Sequence, residues 1–190
     1  MDHSFGVLDN GEIPMDTADH SNGLVVMLAT GALIYTGIDT GNVRLRAHSY
    51  AEPPQELDEA TWEEIVEVSV HAPFGQLQID SLHTGPVPAL PVLSKAGPGW
   101  YRLRAHARGR DTAYDAVSEE PVEDYLIQVW PAQPTPTVII RATDRCGQGL
   151  RESAAQTRLL TEAPIAHDVQ DQQELLRRNI LKSMKEAPRD

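Results

Sequence analysis

The chain contains a single cysteine, Cys146, among its 190 residues. An internal disulfide and a zinc site built from several cysteines are therefore excluded. The N-terminus has no basic stretch followed by an apolar run, so no secretory signal is expected. The longest nearly apolar stretch, residues 23–37, is too short to span a bilayer and is interrupted by threonine and glycine. We therefore expect a cytoplasmic protein without a membrane segment.

Basic residues are also scarce, with 16 Lys and Arg against 28 Asp and Glu, which gives a formal charge of −12. The imbalance is local, because residues 1–140 contain 20 acidic and 7 basic residues, whereas residues 141–190 contain 8 acidic and 9 basic residues. Binding to phosphates needs clustered Lys and Arg, so direct nucleic-acid binding is not expected. The acidic part suits a protein partner with a basic surface, or a solvated surface with no charged partner.

Long helical patterns are lacking before residue 150, and short strand patterns take their place. Residues 43–50, 65–70 and 100–107 each alternate from one residue to the next, as strands do. Eight or nine such strands, separated by turns with glycine or proline, are typical of a sandwich or a barrel. We predict an all-β fold, an antiparallel β-sandwich of eight or nine short strands with a C-terminal helical tail. The proline-rich stretch Val87–Leu93 is expected to be an edge or a loop.

Three segments are expected along the chain. These are an acidic N-terminal extension over residues 1–22, a β-sandwich domain over residues 23–146 and a helical tail over residues 147–190. Within the tail, Glu152–Leu160 is predicted as a short helix and Asp168–Lys185 as a longer one with an apolar stripe. The oligomeric state is left open.

The pentapeptide Arg-Leu-Arg-Ala-His occurs twice, at residues 44–48 and at residues 102–106. Each copy is followed by an acidic pair that leads into an apolar strand, starting at Glu63 and at Glu123. The nearly constant spacing suggests two equivalent strand units. Half-buried strands favour such alternation in any case, so duplication and coincidence both stay open.

Signals of an enzyme are few. The tripeptide Asp39-Thr40-Gly41 follows an apolar strand, as in aspartic proteases, whose paired aspartates activate water. This chain has one copy, and a glycine-containing turn with local hydrogen bonds explains it better, so a hydrolase around Asp39 is a remote alternative. Arg145 favours a lowered pKa for Cys146, but no catalytic partner is identifiable. The seven histidines show no metal-binding spacing. No catalytic residue, cofactor or metal ligand is therefore predicted.

The tryptophans, Trp62, Trp100 and Trp130, lie at the ends of predicted strands. Aromatic residues in such places most often fill a core, and otherwise they anchor interfaces, where Trp, Tyr and Arg contribute much of the binding energy. A pocket lined by these tryptophans would give the alternative function, a small-molecule or carbohydrate-binding module.

A Gly-aromatic strand, an acidic loop and an Asp-Tyr-apolar strand follow one another in the middle of the chain. The segments are GQLQIDS at residues 75–81, GPGWYRLR at residues 97–104 and EDYLIQVW at residues 123–130. This order resembles the competence protein J family, small proteins known as inhibitors of a DNA-entry nuclease, and the resemblance extends loosely over about 24–142. It implies a non-catalytic protein that binds another protein, and it assigns no functional residue.

Together these features predict a non-catalytic acidic protein that binds and regulates or inhibits another protein, in an immunity-type role against a nuclease or a toxin. The partner is expected to have a basic surface and to be attracted by acidic loops. The predicted contact residues are Glu59, Glu63, Glu64, Trp100, Asp111, Asp115, Glu119, Glu120, Glu123, Asp124 and Trp130.

Overall fold

A computed structural model describes residues 3–162. Within that range the chain forms eleven strands and one α-helix. They are β1 (Ser4–Asp9), β2 (Val25–Met27), β3 (Ala32–Tyr35), β4 (Thr40–Gly41), β5 (Arg44–Ser49), β6 (Glu64–Ala72), β7 (Leu77–Asp80), β8 (Gly99–Arg108), β9 (Val117–Ser118), β10 (Asp124–Pro131), β11 (Val138–Ala142) and α1 (Arg145–Glu162). The helix predicted over Asp168–Lys185 lies outside the described residues. No helix in the described range has the length and apolar character needed to cross a bilayer.

The strands of the described range form two larger sheets and one small sheet. The first sheet has the order β2-β3-β1-β7 and is antiparallel throughout. The second has the order β11-β6-β8-β10-β5, in which β5 runs parallel to β10 and the other pairs are antiparallel. A short parallel pair, β4 and β9, completes the set. The fold is thus mostly β with antiparallel and mixed sheets. The predicted purely antiparallel pairing is wrong at β5 and β4, because alternation along a strand does not encode its direction.

One hydrophobic core takes side chains from both larger sheets. Phe5 and Ile34 contribute from the first sheet, and Val68 and Leu103 contribute from the second. In β6 every second residue over 66–72 is buried, which is the alternation that the sequence shows. Residues 87–93 form no strand, in agreement with the prediction from their prolines.

The N-terminal segment is part of the fold rather than an extension of it. β1 pairs with β3 on one side and with β7 on the other, and Phe5 and Val7 enter the core. One compact unit includes everything up to Ala154, and a second begins at Ala155. This first unit runs across both expected boundaries, those after residues 22 and 146. The sequence pattern misses β1 because a glycine interrupts its apolar residues, and glycine is uncommon in strands.

The helix α1 begins at Arg145, before the predicted start. The carboxylate of Asp111 accepts hydrogen bonds from the backbone N–H groups of Arg145 at 2.9 Å and Cys146 at 3.0 Å. The carboxylate of Asp144 accepts one from Gly147 at 2.7 Å. The first N–H groups of a helix have no partner within the helix, so these two carboxylates stabilise its start. They offset the low helix propensity of the glycines in the first turns.

The two copies of the pentapeptide occupy different places in the second sheet. Residues 44–48 lie on the edge strand β5, and residues 102–106 lie on β8 between β6 and β10. Arg44 and Arg46 are exposed, whereas Arg102 and Arg104 are buried. The two copies are therefore not equivalent in the sheet, and the question of duplication stays open.

The histidine that ends each copy is exposed in the first and buried in the second. His106 is 2% exposed, its Nδ1 lies 3.1 Å from the carbonyl oxygen of Leu126, and its ring packs against Trp62. Burial lowers the pKa of His106 from its ordinary value of 6.5 to about 4, against the opposing effect of the Leu126 carbonyl. His48, at the same place in the first copy, is exposed. The pair therefore offers a matched comparison of one residue type in two environments.

We expect the free energy of unfolding to fall by about 3 kcal/mol as the pH is lowered from about 6.5 to 4 because of His106. Above the unfolded pKa the histidine is neutral in both states, and the stability is at its full value. As the pH falls toward the folded pKa, the histidine of the unfolded state takes up a proton while the buried one stays neutral. The unfolded state is thereby favoured, and the stability is lost. Urea unfolding across this pH range measures the effect. His106→Gln should reduce the pH dependence by this amount, and by more than the matched control His48→Gln, which changes an exposed histidine. Equal pH dependence in wild type and His106→Gln would contradict the assignment.

Candidate functional site

Six acidic residues lie between β8 and the start of β10, and the fold uses three of them internally. Asp111 binds the first turn of α1. Glu123 is fully buried, and its carboxylate accepts hydrogen bonds from two backbone N–H groups, of which that of Ile38 lies at 2.6 Å. The carboxylate of Asp124 lies 2.9 Å from Nε of Arg108. Glu123 therefore belongs to the interior, and the carboxylates of Asp111 and Asp124 already have partners within the chain.

The other three acidic residues, Asp115, Glu119 and Glu120, are exposed. Two large apolar side chains lie between and beside them, Tyr114 with 62% and Val117 with 71% of its surface exposed. We call residues 114–120 the acidic loop. Sequence reasoning identified its carboxylates but not its apolar residues, because isolated apolar residues in a polar segment follow no strand or helix period.

Backbone contacts hold the acidic loop against the turn that precedes β5. The N–H of Asp115 donates to the carbonyl of Gly37 at 2.9 Å, and the N–H of Asn42 donates to the carbonyl of Ser118 at 3.0 Å. β9, within the loop, pairs with β4. The approach is so close that a Cβ at Gly41 would lie 1.9 Å from the carbonyl oxygen of Ser118. The glycine of the Asp39-Thr40-Gly41 turn is therefore required by this packing.

Asp39 contacts both His3 and the acidic loop. Nε2 of His3 is 3.3 Å from Oδ1 of Asp39 and 3.3 Å from Oδ1 of Asp115. One potential ligand atom from each of the three residues lies within 4.8 Å of the others. Sequence reasoning missed this cluster, because its members come from three distant segments and share no motif. We call His3, Asp39 and Asp115 the His-Asp-Asp cluster.

Asp39 also lines a cleft of about 540 Å³. The walls are largely apolar, and polar groups at the cleft include Asp80 and His83. The apolar lining residues include Phe5, Ile38, Val43, Leu45, Ile79 and Leu90. A pocket lined by tryptophans was the predicted alternative site, but none of the three tryptophans lines this cleft.

The tryptophans differ in accessibility. Trp62 and Trp130 are buried, each 4% exposed, whereas Trp100 is 42% exposed. The guanidinium of Arg104 lies 5.2 Å from the ring centroid of Trp130, and the rings of Trp100 and His71 stack with centroids 4.7 Å apart. Trp130 thus belongs to the interior, while Trp100 is accessible to a partner.

The predicted acidic contacts before and at the start of β6 are also divided between surface and interior. Glu59 is exposed, and Glu63 accepts a hydrogen bond from the backbone N–H of Gly109 at 2.7 Å. Glu64 is fully buried, and the guanidinium of Arg151 donates to its two oxygens at 2.8 and 3.2 Å. Burial raises the pKa of Glu64, and the hydrogen bond from Arg151 opposes that rise. Glu64 is therefore an internal ion-pair partner rather than a contact residue.

The expectation of a lowered pKa for Cys146 is wrong. The thiol is buried, and burial raises its pKa to about 11, although nearby Arg110 acts in the opposite direction. A thiol with such a pKa is protonated at neutral pH and is a poor nucleophile. The raised pKa therefore gives no support for Cys146 as a nucleophile.

The described residues define a mostly β protein with an ordered acidic loop and a His-Asp-Asp cluster beside an apolar cleft. Comparison of the chain with protein-family models, curated proteins and solved structures gives no match. The resemblance to the competence protein J family therefore stays a prediction, and the function has to be argued from the residues themselves.

Proposed function

We propose that this protein is a non-catalytic regulator that binds and inhibits another protein through the acidic loop. The observation that carries the proposal is the exposure of Tyr114 and Val117 on a loop that also exposes three carboxylates. Exposed aromatic and aliphatic side chains serve as anchors in protein interfaces, and surrounding charged groups set the choice of partner. The loop combines both properties within seven residues.

A basic partner surface matches this loop best. The side chains of Glu119 and Glu120 are exposed, so their carboxylates are accessible to cations of a partner. Carboxylates on an exposed loop attract a basic protein over about one Debye length and increase the rate of association. The hydrogen bonds from the loop to residues 37 and 42 reduce the entropy that binding costs, because the loop is already ordered.

The proposed class of partner is a nuclease or a toxin that acts on nucleic acid. Such proteins have a basic groove for phosphates, and an acidic loop of another protein can occupy it. The resemblance to the competence protein J family implies the same role. We further propose that the two larger sheets, which share a core, pack as a β-sandwich that supports the loop, and that the protein acts in the cytoplasm.

Capture of partners from the native host tests this proposal. The loop variant Tyr114→Ser/Glu119→Gln/Glu120→Gln removes one anchor and two charges but keeps Asp115. We expect the wild-type chain to retain a stoichiometric basic protein and the loop variant to retain at least about tenfold less of it. Quantitative mass spectrometry of the captured proteins is the measurement.

A matched control separates the loop from acidity in general. Glu12→Gln/Met15→Ser/Asp16→Asn changes the same number of charges and one exposed apolar residue elsewhere on the surface. This control should retain the partner as the wild type does. Equal loss from both variants would overturn the assignment to the loop. If no partner is retained and a compound library contains a molecule that raises the melting temperature, the alternative of a small-molecule-binding module in the 540 Å³ cleft replaces the regulator.

A further inference from the structure

We propose that the His-Asp-Asp cluster is a binding site for one divalent cation of the zinc class. The cluster offers one imidazole nitrogen and two carboxylate oxygens, donors that Zn²⁺ accepts readily. Harder cations such as Mg²⁺ and Ca²⁺ prefer oxygen ligands alone. The donor set, with a histidine between two carboxylates, therefore favours Zn²⁺ over these ions.

The distances within the cluster suit a tetrahedral ion. Zn²⁺ binds imidazole nitrogen and carboxylate oxygen at roughly 2.0–2.2 Å, so two ligands of a tetrahedral ion lie roughly 3.3–3.5 Å apart. Nε2 of His3 lies 3.3 Å from Oδ1 of both Asp39 and Asp115. All three ligand atoms lie within 4.8 Å of one another, so a movement of roughly 1.5 Å or less brings the two aspartate oxygens to the spacing of a tetrahedral ion.

The backbone brings these three ligands together without a cation. The N–H of His3 donates to the carbonyl of Asp39 at 3.0 Å, and the N–H of Asp39 donates to the carbonyl of Ala116 at 3.0 Å. The hydroxyl of Thr40 donates to Oδ2 of Asp39 at 3.1 Å, while Oδ1 lies nearest to the histidine. Hydrogen bonds that orient ligating carboxylates in this way increase the affinity of metal sites.

The cleft is an independent observation beside the cluster. Three protein ligands leave a fourth position of a tetrahedral zinc ion open to water or to another ligand. Asp39 belongs both to the cluster and to the lining of the 540 Å³ cleft. A zinc ion at the cluster would therefore admit a small molecule with an apolar body, which fits the walls of the cleft, and one oxygen atom that binds the ion. This inference goes beyond partner binding by the acidic loop, with which it shares only Asp115.

Titration of the untagged, chelator-treated full chain with ZnCl₂ tests the site. Isothermal titration calorimetry should show one ion per chain, and Asp115→Asn and Asp39→Asn should each weaken binding by at least about tenfold. Co²⁺ should give the intense visible absorption of a tetrahedral ion in the wild type, and Asp115→Asn should lose it. Asp115 is exposed and its backbone N–H is unchanged by the substitution, so this variant is expected to fold.

An exposed histidine outside the cluster supplies the control. His48→Ala should bind Zn²⁺ as the wild type does, whereas His3→Ala should not bind it. Absence of saturable binding by the wild type would mean that the cluster is an ion pair only. Binding that needs His3 but neither aspartate would equally overturn the proposal, because it would assign the ion to the histidine alone. The loop variant keeps all three ligands, so loss of the partner and loss of the cation are measured separately.

Discussion

Replacement of Arg110 by methionine should lower the free energy of unfolding by about 3–5 kcal/mol. Arg110 and Asp144 are both fully buried, and two guanidinium nitrogens donate to the two carboxylate oxygens at 2.7 and 2.9 Å. Nη1 donates to the carbonyl of Gly23 at 3.1 Å. Burial alone would lower the pKa of Arg110, but the hydrogen bonds to Asp144 keep this pKa above its ordinary value. Without Arg110, the carboxylate of Asp144 stays buried without its cation.

Urea unfolding monitored by tryptophan fluorescence measures this loss. Arg108→Met is the matched control, because Arg108 pairs with Asp124 on the same stretch of chain but its side chain is 43% exposed. Exposed ion pairs contribute about 0–1 kcal/mol, so the control should stay within that range. A loss below about 1 kcal/mol for Arg110→Met would show that the buried pair does not stabilise the junction with α1.

Glu123→Gln should lower the free energy of unfolding by about 2–4 kcal/mol. The buried carboxylate accepts hydrogen bonds from Gly37, from Ile38 and from the hydroxyl of Tyr125. Burial and the neighbouring Glu123 raise the pKa of Tyr125 well above its ordinary value, so the hydroxyl is protonated and donates. A glutamine has only one acceptor oxygen, and an NH₂ group replaces the other oxygen. At least one of the three groups that donate to Glu123 would then face this NH₂ group and have no acceptor.

The same substitution should also disturb the His-Asp-Asp cluster, because Ile38 immediately precedes Asp39. Amide exchange should show faster exchange at residues 37–39 in Glu123→Gln, and the affinity for Zn²⁺ should fall. Glu120→Gln, an exposed acidic residue of the same segment, should change the free energy of unfolding by about 0.5 kcal/mol or less. Similar effects of both substitutions would contradict the structural role of Glu123.

The central strands were predictable because their apolar residues follow a period of two. β6 shows this alternation in burial as well, whereas in β8 the polar residues between the apolar ones are also buried, which the sequence pattern does not indicate. The parallel placement of β5 beside β10 was not predictable, since it depends on which strands meet after the chain has folded. The start of α1 was missed for a similar reason. One of its two capping carboxylates, Asp111, comes from a distant loop.

The candidate site was predictable only as a segment. The six acidic residues from Asp111 to Asp124 look alike in the sequence, but Glu123 lies in the interior and Glu119 lies on the surface. Hydrogen bonds to residues from another part of the chain cause this difference. His3 shows most clearly what local sequence patterns cannot predict. Its contacts with Asp39 and Asp115 arise because the fold brings together segments that are distant in the sequence.

The salt dependence of the complex with the captured partner tests the central proposal most directly. The dissociation constant of the purified complex is measured between 50 and 500 mM NaCl for the wild type and the loop variant. If the acidic loop recognises a basic surface, the wild-type constant should rise by about tenfold or more over this range, and that of the loop variant should rise much less. A wild-type constant that does not change with salt would contradict the proposal that charge on this loop selects the partner.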